Sequence, residues 1–96
     1  PLGSHTATVE AGRDGRVSHA NNRLVNECAR RAGAPKDKGA GLDLAARVGD
    51  AVEAGEALFT IHAETAEKRD EAVRFARENQ PVRVNAPDEA LVERYG

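Results

Sequence analysis

The placement of its turn-forming residues limits this chain to short elements of secondary structure. Glycine and proline stand at intervals that interrupt any long helix, at Gly15, Gly33, Pro35, Gly49, Gly55 and Pro81. Glycine adopts left-handed backbone conformations that other residues avoid, and proline cannot continue a helix or donate to a strand ladder. The pattern therefore predicts strands of hairpin size and helices of moderate length.

Two stretches have apolar residues at helical spacing. The first helix is expected over residues 22–32, with Asn21 or Asn22 as its cap and Gly33 as its left-handed stop. The second is expected over residues 66–79, with Thr65 as its cap and Pro81 beyond its end. The apolar stripe of the first contains Leu24, Val25, Cys28, Ala29 and Ala32; that of the second contains the Arg69 stem, Ala72, Val73 and Ala76.

The other stretches alternate as strands do. Residues 6–11 and 16–20 are expected to form a hairpin about the tight-turn dipeptide Asp14-Gly15. Alternation resumes through Leu42, Leu44, Ala46 and Val48, then through Val52, Leu58 and Ile61, and residues 82–84 suit an edge strand. The order β-β-α-β-β-β-α-β predicts an α+β fold with a mostly antiparallel sheet or flattened barrel.

Composition and charge exclude several classes of protein. The chain has a net charge of −2, and its core must come from Ala, Val, Leu and Ile because only 3% of the residues are aromatic. Residues 1–49 carry eight basic against five acidic side chains, which is weak for a nucleic-acid binder. A single cysteine excludes an internal disulfide, and no apolar run is long enough to span a membrane. We expect a cytoplasmic protein with neither a nucleic-acid nor a membrane partner.

Three segments are expected along the chain. Residues 1–5 look like the scar of a cleaved expression tag, residues 6–87 form one domain, and residues 88–96 are a tail whose Leu91 and Val92 could dock. The chain contains no methionine. We therefore expect it to be a piece of a longer protein.

Residues 33–41, Gly-Ala-Pro-Lys-Asp-Lys-Gly-Ala-Gly, form the most unusual segment. This stretch, called the basic loop below, has three glycines, two lysines and almost no apolar side chain to bury. We expect it to face a ligand or a neighbouring domain, with candidate residues Arg30, Arg31, Lys36, Lys38, Gly39 and Gly41. Gly49, Asp50 and Gly55 are expected to be structural turn residues.

Ordinary structural roles account for the other reactive side chains. Cys28 lies on an apolar stripe and is expected to pack as a small hydrophobe. His19 and His62 lack a second ligand at metal spacing, so no metal site is predicted. The carboxylate pairs, Asp37 with Asp43 and Glu64 with Glu67, are attributed to capping and solvation. No catalytic residue and no cofactor is predicted.

Two segments resemble a known family. Residues 24–41, LVNECARRAGAPKDKGAG, resemble part of the C-terminal domain of the thymidine and pyrimidine nucleoside phosphorylases. Residues 48–64, VGDAVEAGEALFTIHAE, resemble the hairpin that follows it there, and the match covers about residues 15–79. The Lys36-Asp37-Lys38-Gly39-Ala40-Gly41 run is closest to the archaeal-type branch, which includes AMP phosphorylase.

The resemblance implies an α/β hammerhead, a small barrel-sandwich-like sheet with two helices. It also implies a parent enzyme that cleaves the N-glycosidic bond of a nucleoside or nucleotide with phosphate, releasing a base and a sugar 1-phosphate. In the family the catalytic groups belong to the preceding domains, which would be this chain's partners, and the C-terminal domain flanks the cleft and takes part in its closure. No residue here matches the catalytic motif.

Two other functions stay open. The glycine turns at Gly49 and Gly55 also resemble those of biotinyl and lipoyl carrier domains, with Asp37-Lys38 as a superficial match to a lipoylated site. A carrier must present its lysine on an exposed hairpin tip, whereas Lys38 is predicted in a loop after a helix. A free-standing binding module is the third possibility.

Overall fold

The computed structural model describes residues 4–85, which form six strands and two helices. In chain order these are β1 His5–Glu10, β2 Gly15–Ala20, α1 Asn22–Ala32, β3 Gly41–Leu44, β4 Ala51–Val52, β5 Ala57–Ala63, α2 Ala66–Asn79 and β6 Val82–Asn85. The α+β class and the element order are confirmed. His5, which we assigned to a tag scar, is the first residue of β1, and the expected docking of Leu91 and Val92 lies outside the described residues.

Both helices have the bounds that the sequence predicts. At the start of α1 the Asn21 side chain accepts from the Leu24 N–H at 3.2 Å, and at the start of α2 the Thr65 hydroxyl accepts from the Lys68 N–H at 3.2 Å. Gly33 ends α1 with a φ of 119°. Gln80 ends α2 in the left-handed region, with a φ of 48°, a role that no local signal marks in a glutamine.

The strands form two antiparallel sheets of three strands, ordered β1-β5-β3 and β4-β2-β6. The predicted hairpin of β1 with β2 is therefore wrong, because β1 pairs with β5 while β2 pairs with β4 and β6. The link between them bonds to the Gly55 turn instead of to itself. Ala11 exchanges backbone hydrogen bonds with Glu56 and Gly55 at 2.8 and 2.9 Å, and the Asp14 carboxylate accepts from the Ala54 N–H at 2.8 Å.

The two glycine turns are where the sequence predicts them. Gly49 and Gly55 have φ values of 99° and 92°, in the region that favours glycine. An acidic side chain follows each glycine and closes the turn, since Asp50 accepts from the Arg47 N–H at 2.8 Å and Glu56 from the Glu53 N–H at 2.9 Å. The flanking strands β4 and β5 lie in different sheets, so this segment is not a hydrogen-bonded hairpin.

The core is mostly aliphatic, as the composition predicts, although Phe59 is the largest of its fully buried side chains. The helices pack on each other and on the β1-β5-β3 sheet. The buried positions include Val52, Leu58 and Ile61, the apolar residues of the second alternating stretch. Phe75 packs against this core from α2, although the predicted stripe omitted it.

The predicted alternation after residue 42 is wrong in part. Ala46 is buried, but Leu44 is 50% exposed and Val48 is 59% exposed. β3 ends at Leu44, and the backbone N–H groups of Ala45 and Ala46 both bond to the Leu58 carbonyl. This departure from strand geometry breaks the alternation and leaves two large apolar side chains at the surface.

Over residues 4–85, neither helix is long and apolar enough to cross a membrane.

Candidate functional site

The basic loop joins the end of α1 to the start of β3. The Gly33 N–H binds the carbonyls of Ala29 and Arg30, and its own carbonyl accepts from the Asp37 N–H at 2.9 Å. A Cβ on Gly33 would collide with the Asp37 carboxylate. The Asp37 carbonyl in turn accepts from the Ala40 N–H at 3.1 Å. The loop therefore folds back on itself about Asp37 before Gly41 enters β3.

Two side chains at the start of α2 hold this loop. The Lys68 ammonium donates to the Asp37 carboxylate at 2.5 Å, and the Asp37 side chain is only 15% exposed. The Glu64 carboxylate accepts from the Gly39 N–H at 3.3 Å, and Gly39 is buried. A charge-assisted bond to a mostly buried carboxylate is stronger than an exposed ion pair. These contacts restrain the loop.

The two arginines before the loop have different surroundings. Arg31 bonds to Glu27 at 3.0 Å, and its guanidinium lies 5.0 Å from the centre of the Phe75 ring. Both contacts hold it on the paired helices. Arg30 is exposed, as are Lys36 and Lys38 on the loop itself. None of these three cationic side chains bonds or ion-pairs with another residue in the part of the chain that the structure describes.

The structure shows three contacts at this site that the sequence analysis missed. Capping and solvation, to which we attribute Asp37, Asp43 and Glu64, do not account for all of their contacts, because Asp37 binds Lys68, Glu64 binds Gly39 and Asp43 binds a histidine. The partners of these carboxylates lie 19 to 31 positions away in the sequence. No local pattern predicts contacts at such separations.

The histidine in question, His62, lies beside the exit of the loop. It pairs with Gly41 across β5 and β3, and its Nε2 bonds to the Asp43 carboxylate at 2.8 Å. The ring is buried, and its Nδ1 has no hydrogen-bond partner among the residues that the structure describes. Residues 4–85 contain no group of three or more His, Cys, Asp or Glu side chains that could hold a metal ion.

The structure does not place Lys38 on a hairpin tip, as a carrier domain would require. Lys38 lies between α1 and β3, and the two glycine turns are elsewhere in the chain. The site therefore combines a loop held by Lys68 and Glu64 with exposed cations, and the exposed Leu44 and Val48 follow it in the chain. It can attract an anion and contact an apolar surface, but it has no nucleophile paired with a base.

Comparison with known proteins places the chain in a family. A model of the pyrimidine nucleoside phosphorylase C-terminal domain matches residues 16–83. The chain is 48% identical over 92 residues to the AMP phosphorylase of Natronomonas pharaonis, a match that covers 96% of this chain and 18% of that protein. It is 45% identical over 84 residues to the AMP phosphorylase of Thermococcus kodakarensis, covering 88% of this chain and 17% of that protein.

A bacterial relative also matches. The putative thymidine phosphorylase 2 of an Acidovorax species is 44% identical over 82 residues, covering 85% of this chain and 16% of that protein. The chain thus spans less than a fifth of the length of these curated relatives. The resemblance found in residues 15–79, including its AMP phosphorylase branch, is confirmed. The chain belongs to the pyrimidine nucleoside phosphorylase C-terminal domain family.

Proposed function

We propose that this chain is the C-terminal accessory domain of a nucleoside or nucleotide phosphorylase, where it flanks the substrate cleft and assists its closure. The parent reaction would be phosphorolysis. An oxygen of phosphate bonds to the anomeric carbon of the sugar, the N-glycosidic bond breaks, and the base leaves with a proton. The products are a free base and a sugar 1-phosphate. The names of the matched relatives support a phosphorylase parent.

The observation that carries the proposal is the contrast within the basic loop. The Asp37 side chain bonds to Lys68 of α2 and the Gly39 N–H to Glu64, while Lys36 and Lys38 stay exposed and bond to no described residue. Fixing a loop before binding lowers the entropy lost when it meets a partner. The loop therefore presents two cations in a defined place, as an anionic ligand or an acidic interdomain surface requires.

Leu44 and Val48 also support a contact between this domain and another part of the parent enzyme. They are the exposed large hydrophobic side chains among residues 4–85, and they follow the loop through β3. Exposed apolar side chains are typical of surfaces that contact another protein part. We propose that the preceding domains of the parent enzyme cover them. The reducing cytoplasm is the proposed setting, since Cys28 is a free thiol.

The test replaces both lysines in the full-length parent enzyme. Lys36→Ala with Lys38→Ala is expected to raise KM for phosphate or the nucleoside substrate, or to lower kcat, by about tenfold, the effect of losing one or two charge-assisted contacts. The melting temperature should stay within about a degree, because neither side chain bonds to the domain.

A matched control makes the same change in charge elsewhere. Arg23→Ala with Arg74→Ala removes two exposed cations from α1 and α2 and should leave the kinetics unchanged. Wild-type kinetics in the lysine variant would reduce the loop to solvated surface and end this proposal. A loss of activity that the arginine control shares would point to net charge instead of the loop.

A further inference from the structure

A groove that no residue of the basic loop lines has no role in the proposed function. It has a volume of about 380 Å³ and lies between the end of β1, the end of α2 and β6. Apolar side chains from β1, β5 and β6 line it, among them Val9, Leu58, Val82 and Val84. Val9 and Val84 are only partly buried, so the groove exposes the margin of the core to solvent.

The charged side chains that line the groove are mostly basic. Arg13, Arg77 and Arg83 contribute to its walls, against one carboxylate, Glu10. Arg77 and Arg83 are exposed and come from different elements, α2 and β6. An occupant of this groove should therefore combine apolar groups with an excess of negative charge.

We propose that the occupant is the chain's own C-terminal segment, residues 86–96, which lies outside the described residues. The segment reads Ala-Pro-Asp-Glu-Ala-Leu-Val-Glu-Arg-Tyr-Gly, so it has three acidic side chains against one basic. Leu91, Val92 and Tyr95 supply apolar groups within five positions. Its apolar side chains thus match the apolar lining of the groove, and its acidic side chains match the arginines there.

The covalent connection favours this occupant over any separate molecule. The segment follows Asn85, the last residue of β6, and β6 itself lines the groove through Val82, Arg83 and Val84. Eleven residues reach at most about 36–40 Å when extended, and they begin at the groove wall. A tethered ligand binds at a high effective concentration, so even weak complementarity suffices.

Tyr95 provides a direct measurement, because it is the single tyrosine of a chain without tryptophan. Tyrosine fluorescence of the 96-residue chain therefore reports on this segment alone. We expect the acrylamide quenching constant to be severalfold lower in the intact chain than in a peptide of residues 86–96, because docking shields the phenol ring from the neutral quencher.

Charge reversal tests whether the groove is responsible. Arg77→Glu with Arg83→Glu should raise the quenching constant to that of the peptide, while far-UV circular dichroism stays unchanged because both side chains are exposed. Adding Glu89→Arg and Glu93→Arg to that variant should restore the protection. Arg23→Glu with Arg74→Glu is the matched control, since it makes the same change in charge on exposed positions that do not line the groove, and it should keep Tyr95 protected.

Three results would overturn the proposal. Quenching of the intact chain equal to that of the peptide would show that the segment does not dock. Protection that survives the Arg77 and Arg83 reversal would place the segment elsewhere. Protection that grows with protein concentration would show that the groove of a second copy binds it.

Discussion

Burial determines whether Cys28 can react as a thiolate. Its side chain is fully buried on α1, and its Sγ lies 3.5 Å from the Ala72 carbonyl of α2, to which the thiol donates. Burial raises the pKa of this thiol from its ordinary value of 9.0 to about 11. The thiolate is the reactive form of cysteine, so Cys28 serves in packing, as its position on the apolar stripe predicts.

The raised pKa predicts a loss of stability at alkaline pH. The unfolded thiol ionises near pH 9.0, whereas the folded thiol keeps its proton until about pH 11. The unfolded state therefore binds fewer protons between these values, and the free energy of unfolding falls as pH rises through that window. The shift contributes at most about 2–3 kcal/mol, all of it present below pH 9.0 and lost above pH 11.

Urea unfolding of the wild type and of Cys28→Ala across this pH range measures the effect. Other groups titrate there as well, but they titrate in both proteins and cancel in the difference. The stability advantage of the wild type should shrink as pH rises from 9.0 to 11. A constant difference would contradict the prediction.

The turns that connect the short strands depend on backbone conformation rather than on side-chain space. A Cβ on Gly55 would meet no atom within 4 Å, yet its φ is 92°. Gly55→Val should therefore lower the free energy of unfolding by about 1–2 kcal/mol, the cost of a left-handed conformation for a residue with a side chain. Thermal melts monitored by circular dichroism would show a lower midpoint.

Gly12→Val is the matched control for that change. Gly12 also has open space for a Cβ, but its φ lies outside the left-handed region. The control should melt close to the wild type. Equal midpoints for the two variants would mean that conformation at Gly55 contributes nothing.

Local elements were predictable from the sequence and their partners were not. The caps at Asn21 and Thr65 and the glycine turns act over a few residues, so residue types alone indicate them. Alternation identifies a strand but carries no information about which strand lies beside it. The Asp14-Gly15 dipeptide predicted a hairpin, but the Asp14 carboxylate bonds to Ala54, which is 40 positions away.

The candidate site likewise combines features that the sequence predicts with contacts that it does not predict. Exposed Lys36 and Lys38 could be placed on a loop from composition alone, because Gly33 and Pro35 end the preceding helix. The anchor that gives the loop its shape, Asp37 with Lys68, joins positions 31 apart and depends on how α2 packs. Arg31 contacts Phe75 of α2 instead of contributing to the site, and this contact also depends on how α2 packs.

The molecule as a whole has the parts of a stable domain, but it is short beside its relatives. Its two sheets and two helices enclose one mostly aliphatic core, whereas the chain spans less than a fifth of the length of the relatives that carry the enzyme names. Phosphorolysis requires phosphate and the nucleoside to be held together in a near-attack arrangement. The basic loop offers exposed cations, which suit phosphate, and we propose that the preceding domains of the parent enzyme hold the nucleoside.

The isolated chain is therefore expected to fold and to be inactive. Circular dichroism should show a cooperative thermal transition, while incubation with phosphate and AMP, thymidine or uridine should release no base above a buffer blank. The full-length enzyme under the same conditions is the positive control, and a mock purification from cells lacking the expressed chain detects host phosphorylases. Release of base that exceeds the mock sample and disappears without phosphate would contradict the accessory role, because it would mean that these 96 residues hold both substrates by themselves.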